Sequence, residues 1–328
     1  MYDFITVGGT TRDVSFFTDK GKLIENCQDL LCQNLLAFES GAKIKVNKFY
    51  YSYGGGAANA AVCLNNLGLK TACLAPVGDD QNGRQIIANL LQHQVDTRLI
   101  EKIKGEESGA SFILIAPSGE RIIFAQRGAN NHLLIDRRRL AVLKKVKNIY
   151  IASLAGDWRN NLKKIFSVAG KNGPRVFWNP GMTQYLGGFE RIAPFLKKTS
   201  VVASNKDEVI QLVLASKGYG HLKKEFLNKA ENLVKILHSF GPQIAVITLG
   251  MEGVIAYDGR QIYRRSILRE KKRVDTTGVG DVFNSSFAAG LVLYQGDIDR
   301  ALRLGLKNTA AKVAHLGAQS GLLKLKKA

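Results

Sequence analysis

The 328-residue chain is 45% hydrophobic and 23% charged, which supplies a large core and excludes disordered, collagen-like or fibrous classes. No apolar run approaches the roughly 18 to 20 residues that span a bilayer, and Met1 to Gly9 has no basic segment leading into an apolar stretch; the expectation is a soluble cytoplasmic protein without a membrane partner. The net charge of +20 raises a nucleic-acid partner. The basic residues, however, form short scattered clusters such as Arg137–Arg139, Lys163–Lys164, Lys197–Lys198 and Arg269 to Arg273, which fit a solvated surface or a field drawing anionic substrates better than a nucleic-acid site.

Taken in chain order, apolar β-branched runs predict core strands at Phe4 to Val7, Lys70 to Val77, Phe112 to Ile115, Asn148 to Ile151, Arg175 to Trp178, Val201 to Ala203 and Ala245 to Leu249. Helix-period spacing fills the intervals at Asn59 to Leu67, Gly83 to Gln92, Asn161 to Ala169, Lys206 to Leu214, Asn228 to Phe240, Asp281 to Tyr294 and Asp297 to His315. This alternation predicts an α/β fold with a mainly parallel sheet covered on both faces. Two stretches break the rhythm. Residues 14–53 and 111–126, the latter with a turn signal at Pro117-Ser118-Gly119, are expected to form a small sheet over one single domain spanning 1–328. Cys27, Cys32, Cys63 and Cys73 form no C-x-x-C pair and read as reduced, small buried residues.

The segment from Asp275 to Asp281, DTTGVGD, leads straight into an apolar helix. Glycines ahead of a helix leave amides pointing at one spot, where the positive end of the helix dipole also lies, so an anion belongs there. An acid in the first turn, Asp281, beside the amides of Gly278, Val279 and Gly280 suits phosphoryl transfer to a hydroxyl. On the residues alone, a simple N-cap and tight turn explain the same pattern. The earlier segment Gly54 to Asn59, GGGAAN, also enters a helix; Gly55 and Gly56 permit close approach, and Asn59 offers a donor and an acceptor to a polyol.

Together the two segments resemble the paired signatures of the ribokinase-like (PfkB) carbohydrate kinases. The first runs from Gly54 to Gly83 with Asn59, Gly68 and Val77 to Asp80, the second from Asp275 to Leu291. Lesser features appear in the family's order over nearly the whole chain. The resemblance implies a three-layer αβα fold with a β-sheet lid, an ATP-dependent kinase, and Asp281 as catalytic base with Gly278 to Gly280 as anion hole. It further implies Asp13 and Asn59 as sugar anchors, Asn205 and Glu208 as residues that position phosphate and Mg2+ through water, and Thr248, Gly250, Gly253 and Asn308 along the nucleotide. Many relatives bind K+ beside the anion hole; Asp275 and the Thr277 carbonyl would be its nearest ligands, unless Asp275 only caps its own turn. The lid of such proteins often forms a homodimer contact.

For the acceptor, the family's sugar-phosphate kinases commonly carry a Lys where this chain has Gly56, so a neutral sugar is expected, with Arg127 and Asn179 flanking it. Phe16, Phe17, Phe49, Tyr50 and Tyr51 near the lid keep a nucleoside acceptor open. Two other classes are weaker. A basic nucleic-acid-binding protein on an inactive kinase fold does not account for every kinase position being filled, and a nicotinamide-dependent enzyme would need a G-x-G-x-x-G turn that Gly8-Gly9 does not provide.

Overall fold

The computed structural model describes residues 1–25, 34–46, 48–115, 121–170, 172–219, 222, 224–269 and 272–325. Eight strands form one sheet in the order Ile262–Arg265, Val254–Tyr257, Ile244–Thr248, Val201–Asn205, Arg175–Trp178, Asn148–Ile151, Phe4–Val7, Thr71–Leu74. From Ile244–Thr248 onward the neighbours are parallel; the first two strands join as an antiparallel edge hairpin.

Strand alternation explains why the parallel strands are apolar throughout. Phe4, Cys73, Tyr150, Phe177 and Val246 enter one core, shared with the helices Gly56–Asn66, Val279–Leu293 and Ile298–Lys312. Their neighbours Ile5, Ala72, Ile149, Val176 and Ala245 enter a second core under Trp158–Val168, Phe189–Leu196, Lys206–Leu214 and Ala230–Ser239. The result is three layers, and each fully buried Leu, Ile or Phe contributes roughly 1.5 to 3 kcal/mol. Cys63 and Cys73 are free and buried, as expected of small hydrophobes. Cys27, Cys32 and the turn at Pro117 to Gly119 lie outside the described residues.

The sheet differs from the sequence expectation in three places. The run Lys70 to Val77 splits into Thr71–Leu74 and Pro76–Gly78, because Pro76 has no amide to continue the ladder; the second piece pairs with Glu101–Ile103 instead. Phe112 to Ile115 leaves the core sheet for the small one. The edge hairpin of Val254–Tyr257 and Ile262–Arg265 is additional, and its turn begins at Asp258-Gly259, a signal that was present in the sequence.

The small sheet has the order Arg121–Gln126, Ala110–Ile115, Thr11–Phe17, Lys48–Gly54. Thr11–Phe17 runs parallel to Ala110–Ile115 and antiparallel to Lys48–Gly54. The sheet therefore starts before Val14 and includes Asp13, while Lys22–Glu25 and Asn34–Ala37 form a separate two-stranded ribbon. From Phe4–Val7 the chain proceeds to Thr71–Leu74 on one side and later returns through Asn148–Ile151 on the other. The crevice beyond the carboxyl ends of Phe4–Val7 and Asn148–Ile151 is the topological switch point, where ligands bind in open α/β sheets. Among the described residues, no helix is long and apolar enough to cross a membrane.

Candidate active site

Both glycine turns end at this crevice. Gly55 has φ +88°, and a Cβ there would lie 2.5 Å from the Gly9 carbonyl oxygen, so only glycine lets the small sheet turn directly into the helix Gly56–Asn66. Gly278, at φ 72°, performs the same service for Val279–Leu293, packed so tightly on Ala318 that an added Cβ would stand 2.5 Å from the alanine Cβ. At the entrance of that helix the Val279 amide is engaged by the Thr276 carbonyl at 3.3 Å. Among the described residues no acceptor meets the amides of Gly278, Gly280 and Asp281, which leaves a nest of donors at the helix N-terminus. Asp281's own amide thus joins the expected set, and Val279's is otherwise occupied.

The two helices meet through their side chains. Asn59 Nδ2 donates to Asp281 Oδ2 at 2.8 Å across 222 residues of sequence. Burial pushes the Asp281 carboxyl above its ordinary range, the Asn59 bond opposes that, and the charge of Asp13 adds to the rise. Asn59 does not act alone. Its Oδ1 accepts from Gln319 Nε2 at 3.0 Å, and Gln319 Oε1 accepts from Asn89 Nδ2 at 2.7 Å. This relay fixes which way the Asn59 amide faces, so that its donor end points at Asp281. The place of Gly56 is equally close: a Cβ there would lie 3.4 Å from Asp281 Oδ1.

Asp13 reaches the crevice from the small sheet. It is 3% exposed, accepts from Thr11 Oγ1 at 2.7 Å, and has its carboxyl raised by burial against the pull of Thr11, Ser111 and Arg12. Register places Ser52 and Ser111 directly beside it on the same face. Phe49, Tyr51, Phe112 and Phe124 alternate onto the opposite face.

The remaining expected residues divide. Arg127 is exposed and donates to Thr183 Oγ1 at 3.2 Å, while Asn179, at the end of its strand, donates to the Ala203 carbonyl at 2.8 Å. Asn205 and Glu208 form a reciprocal cap of the helix Lys206–Leu214: Asn205 Oδ1 accepts from the Glu208 amide at 2.8 Å and Glu208 Oε2 from the Asn205 amide at 2.9 Å. Burial raises the Glu208 carboxyl, the Asn205 bond lowers it, and the charges of Asp207 and Asp281 raise it further, which ties this cap electrostatically to the crevice. Thr248 ends its strand; Gly250 and Gly253, both at positive φ, shape the turn that follows. Asn308 lies elsewhere. It is fully buried, bonded to Ser286 Oγ, Cys63 Sγ and the Leu323 amide, and belongs to helix packing rather than to the cleft.

Asp275 is also structural in its contacts. Its Oδ1 accepts from the Thr277 amide and its Oδ2 from the Gly317 amide, each at 2.8 Å, while Lys312 Nζ donates to its carbonyl at 2.7 Å and stands 3.7 Å from Oδ2. Burial alone would raise this carboxyl; the Lys312 charge and the Thr277 and Gly317 amides outweigh it and hold the group below its ordinary value. An ammonium thus stands where a K+ held by Asp275 would need room, and the residues do not fit that ion. Among the described residues no three His, Cys, Asp or Glu side chains gather closely enough to cage a metal. Glu208, with one oxygen engaged and the other uncommitted among the described residues, does fit a water-mediated hold on Mg2+.

Residues 26–325 match the family model described as pfkB family carbohydrate kinase. The chain is 30% identical to a ribokinase of Lactococcus lactis, covering 90% of this chain and 91% of that one. Among solved structures it is similar to a ribokinase of Cryptococcus neoformans in complex with ADP (TM-score 0.78, 21% identity, 99% of this chain and 98% of that one). It is also similar to a nucleoside kinase of Methanocaldococcus jannaschii (TM-score 0.75, 22% identity, 98% and 95%).

Proposed function

The chain belongs to the pfkB family of carbohydrate kinases, and from that premise we propose that it transfers the terminal phosphoryl group of ATP to a hydroxyl of a small ribose- or fructose-like sugar, with Asp281 as base. The observation that carries this reading is the 2.8 Å bond from Asn59 to Asp281, which joins the two glycine turns in one site. Burial makes Asp281 a stronger base than an exposed carboxylate, and the Asn59 donor opposes that rise and aims the carboxyl. The free amides of Gly278, Gly280 and Asp281, with the positive end of the helix dipole, receive charge as it develops on the transferring group. Asn205, Thr248, Gly250 and Gly253 border the nucleotide, and magnesium bound with it would neutralise phosphate charge, held by Glu208 through water.

The face of the small sheet at Asp13 favours a polyol acceptor. Ser52 and Ser111 are its direct neighbours there; of the aromatic pair Phe17–Tyr50 on the same face, Tyr50 stands opposite Ser15, two residues along and about 7 Å away, and Phe17 about 13 Å away at the rise of an extended strand. Gly56 supplies no charge for a phosphate on the acceptor, and Arg127 and Asn179 at the rim flank a neutral sugar. The small sheet acts as the lid, and its outer face, with Phe49, Tyr51 and Phe124 exposed by 57% to 61%, pairs with a second copy of the chain. Sedimentation should find a dimer; a monomer at micromolar concentration contradicts that pairing.

The function is tested by coupled ADP release over free pentoses and hexoses, sugar phosphates and nucleosides. A free sugar should give the highest kcat/KM. Preference for a nucleoside by about tenfold or more moves the acceptor to that class, and no ADP with any acceptor refutes the kinase reading.

A further inference from the structure

The strongest unexplained group in the molecule is Lys312. It is 0% exposed, the one fully buried lysine among the described residues of a chain with net charge +20. A lysine carries heavy desolvation costs in such a position and persists only when its charge is matched. Lys312 is matched by the main chain and carboxylate of Asp275, at 2.7 and 3.7 Å. It also lies in the last turn of the helix Ile298–Lys312, where carbonyl dipoles favour a cation.

Its position relative to the anion-binding turn gives this pair a role beyond packing. Asp275 precedes Gly278 by three residues and is fixed on every side: its amide and that of Val274 donate to the Val313 carbonyl, its carboxylate receives the Thr277 and Gly317 amides, and its carbonyl receives Lys312. Gly317 leads to Ala318, on which Gly278 packs, and to Gln319, which orients Asn59 toward Asp281. One ammonium therefore ties together the start of the donor nest and the segment that aims the base.

We propose that Lys312 is a built-in monovalent cation, a positioning residue that holds the anion-binding turn in its working shape, so that this enzyme needs no added potassium. The inference rests on the kinase reading above, and extends it to what sets the turn's geometry. The lysine side chain supplies from within the fold the single positive charge that the Asp275 carbonyl and carboxylate would otherwise take from solution.

Two measurements test it. ADP release and thermal unfolding of the wild-type protein are compared in potassium, sodium and choline chloride at equal ionic strength. We expect kcat to vary by less than about twofold and Tm to show no shift specific to potassium. Potassium-specific activation of about tenfold, or a potassium-specific rise in Tm, overturns the proposal. The second uses Lys312→Met and Lys312→Ala. Each should lower kcat by roughly tenfold or more while changing KM for ATP less, and ammonium or potassium ions should restore part of the kcat of Lys312→Ala. Full activity in Lys312→Met overturns the positioning role, as does a kcat loss in Lys312→Ala that neither ion relieves. Should neither variant fold, the wild-type salt comparison decides. Absence of ADP release under every salt would count against the kinase reading, and the unfolding comparison would still decide the ion question.

Discussion

The eight-stranded sheet is buried on both faces, with Phe4, Ile5, Cys73 and Ile149 all inaccessible to solvent, whereas the small sheet hides Asp13 and Ser15 and leaves Phe49 and Tyr51 exposed. The proposed base and the donor nest stand on one helix, Val279–Leu293, packed against the first; the acid proposed to hold the acceptor stands on the second. The proposal thus gives chemistry and recognition separate supports. Changes on the body should act on kcat or on folding itself, and changes on the small sheet on the acceptor KM.

The sharpest break on the body side is Asp275→Asn. It leaves Lys312 buried without its carboxylate, and removal of one partner from such a pair costs about 3 kcal/mol or more, read as a lower urea midpoint. The folded-state carboxyl of Asp275 is held below its ordinary value, so its contribution is present above the unfolded pKa and lost as pH falls through the folded one. The gap between wild type and variant should accordingly close in acid; a gap unchanged down to acid pH would contradict the pairing.

On the small sheet, Asp13→Asn should raise the acceptor KM by roughly ten- to a hundredfold with a smaller change in kcat, because it weakens hydroxyl binding while leaving the proposed base in place, relieved only of the Asp13 charge. A loss confined to kcat would erase the division of labour. Asn59→Ala sits between the two regions and should lower kcat by about tenfold. It should also move the acid limb of the kcat/KM profile to higher pH, since the Asn59 bond is what opposes the rise of the Asp281 carboxyl. An acid limb that stays in place would deny that Asn59 tunes Asp281.

The sequence exposed these regions unequally. Fully buried parallel strands are continuous apolar runs, so most of the core sheet was readable from Phe4 to Thr248, and glycine turns ahead of helices marked both Gly54–Gly56 and Gly278–Gly280. Phe112 to Ile115 is just as apolar and was read as core, because composition does not say which sheet a strand joins. The relay of Asn89, Gln319 and Asn59 spans 230 residues between its first two members, and nothing local to either predicts the contact. From its sequence Asn308 was expected along the nucleotide, and Lys312 had no assigned part. Their spacing with Ala301 and Gly305, in steps of four, three and four, is that of one helix stripe, and that stripe is the buried one. A polar residue on an apolar stripe was the available sign that Lys312 serves something other than solubility.

The most direct measurement of the central claim is single-turnover ADP formation by Asp281→Asn with the best acceptor, alongside its affinity for ATP. Loss of the base with the donor nest left in place predicts a rate lower by about a thousandfold, with ATP binding changed less than about threefold. Turnover within a few-fold of wild type would contradict the assignment of Asp281, and with it the site built around its bond to Asn59.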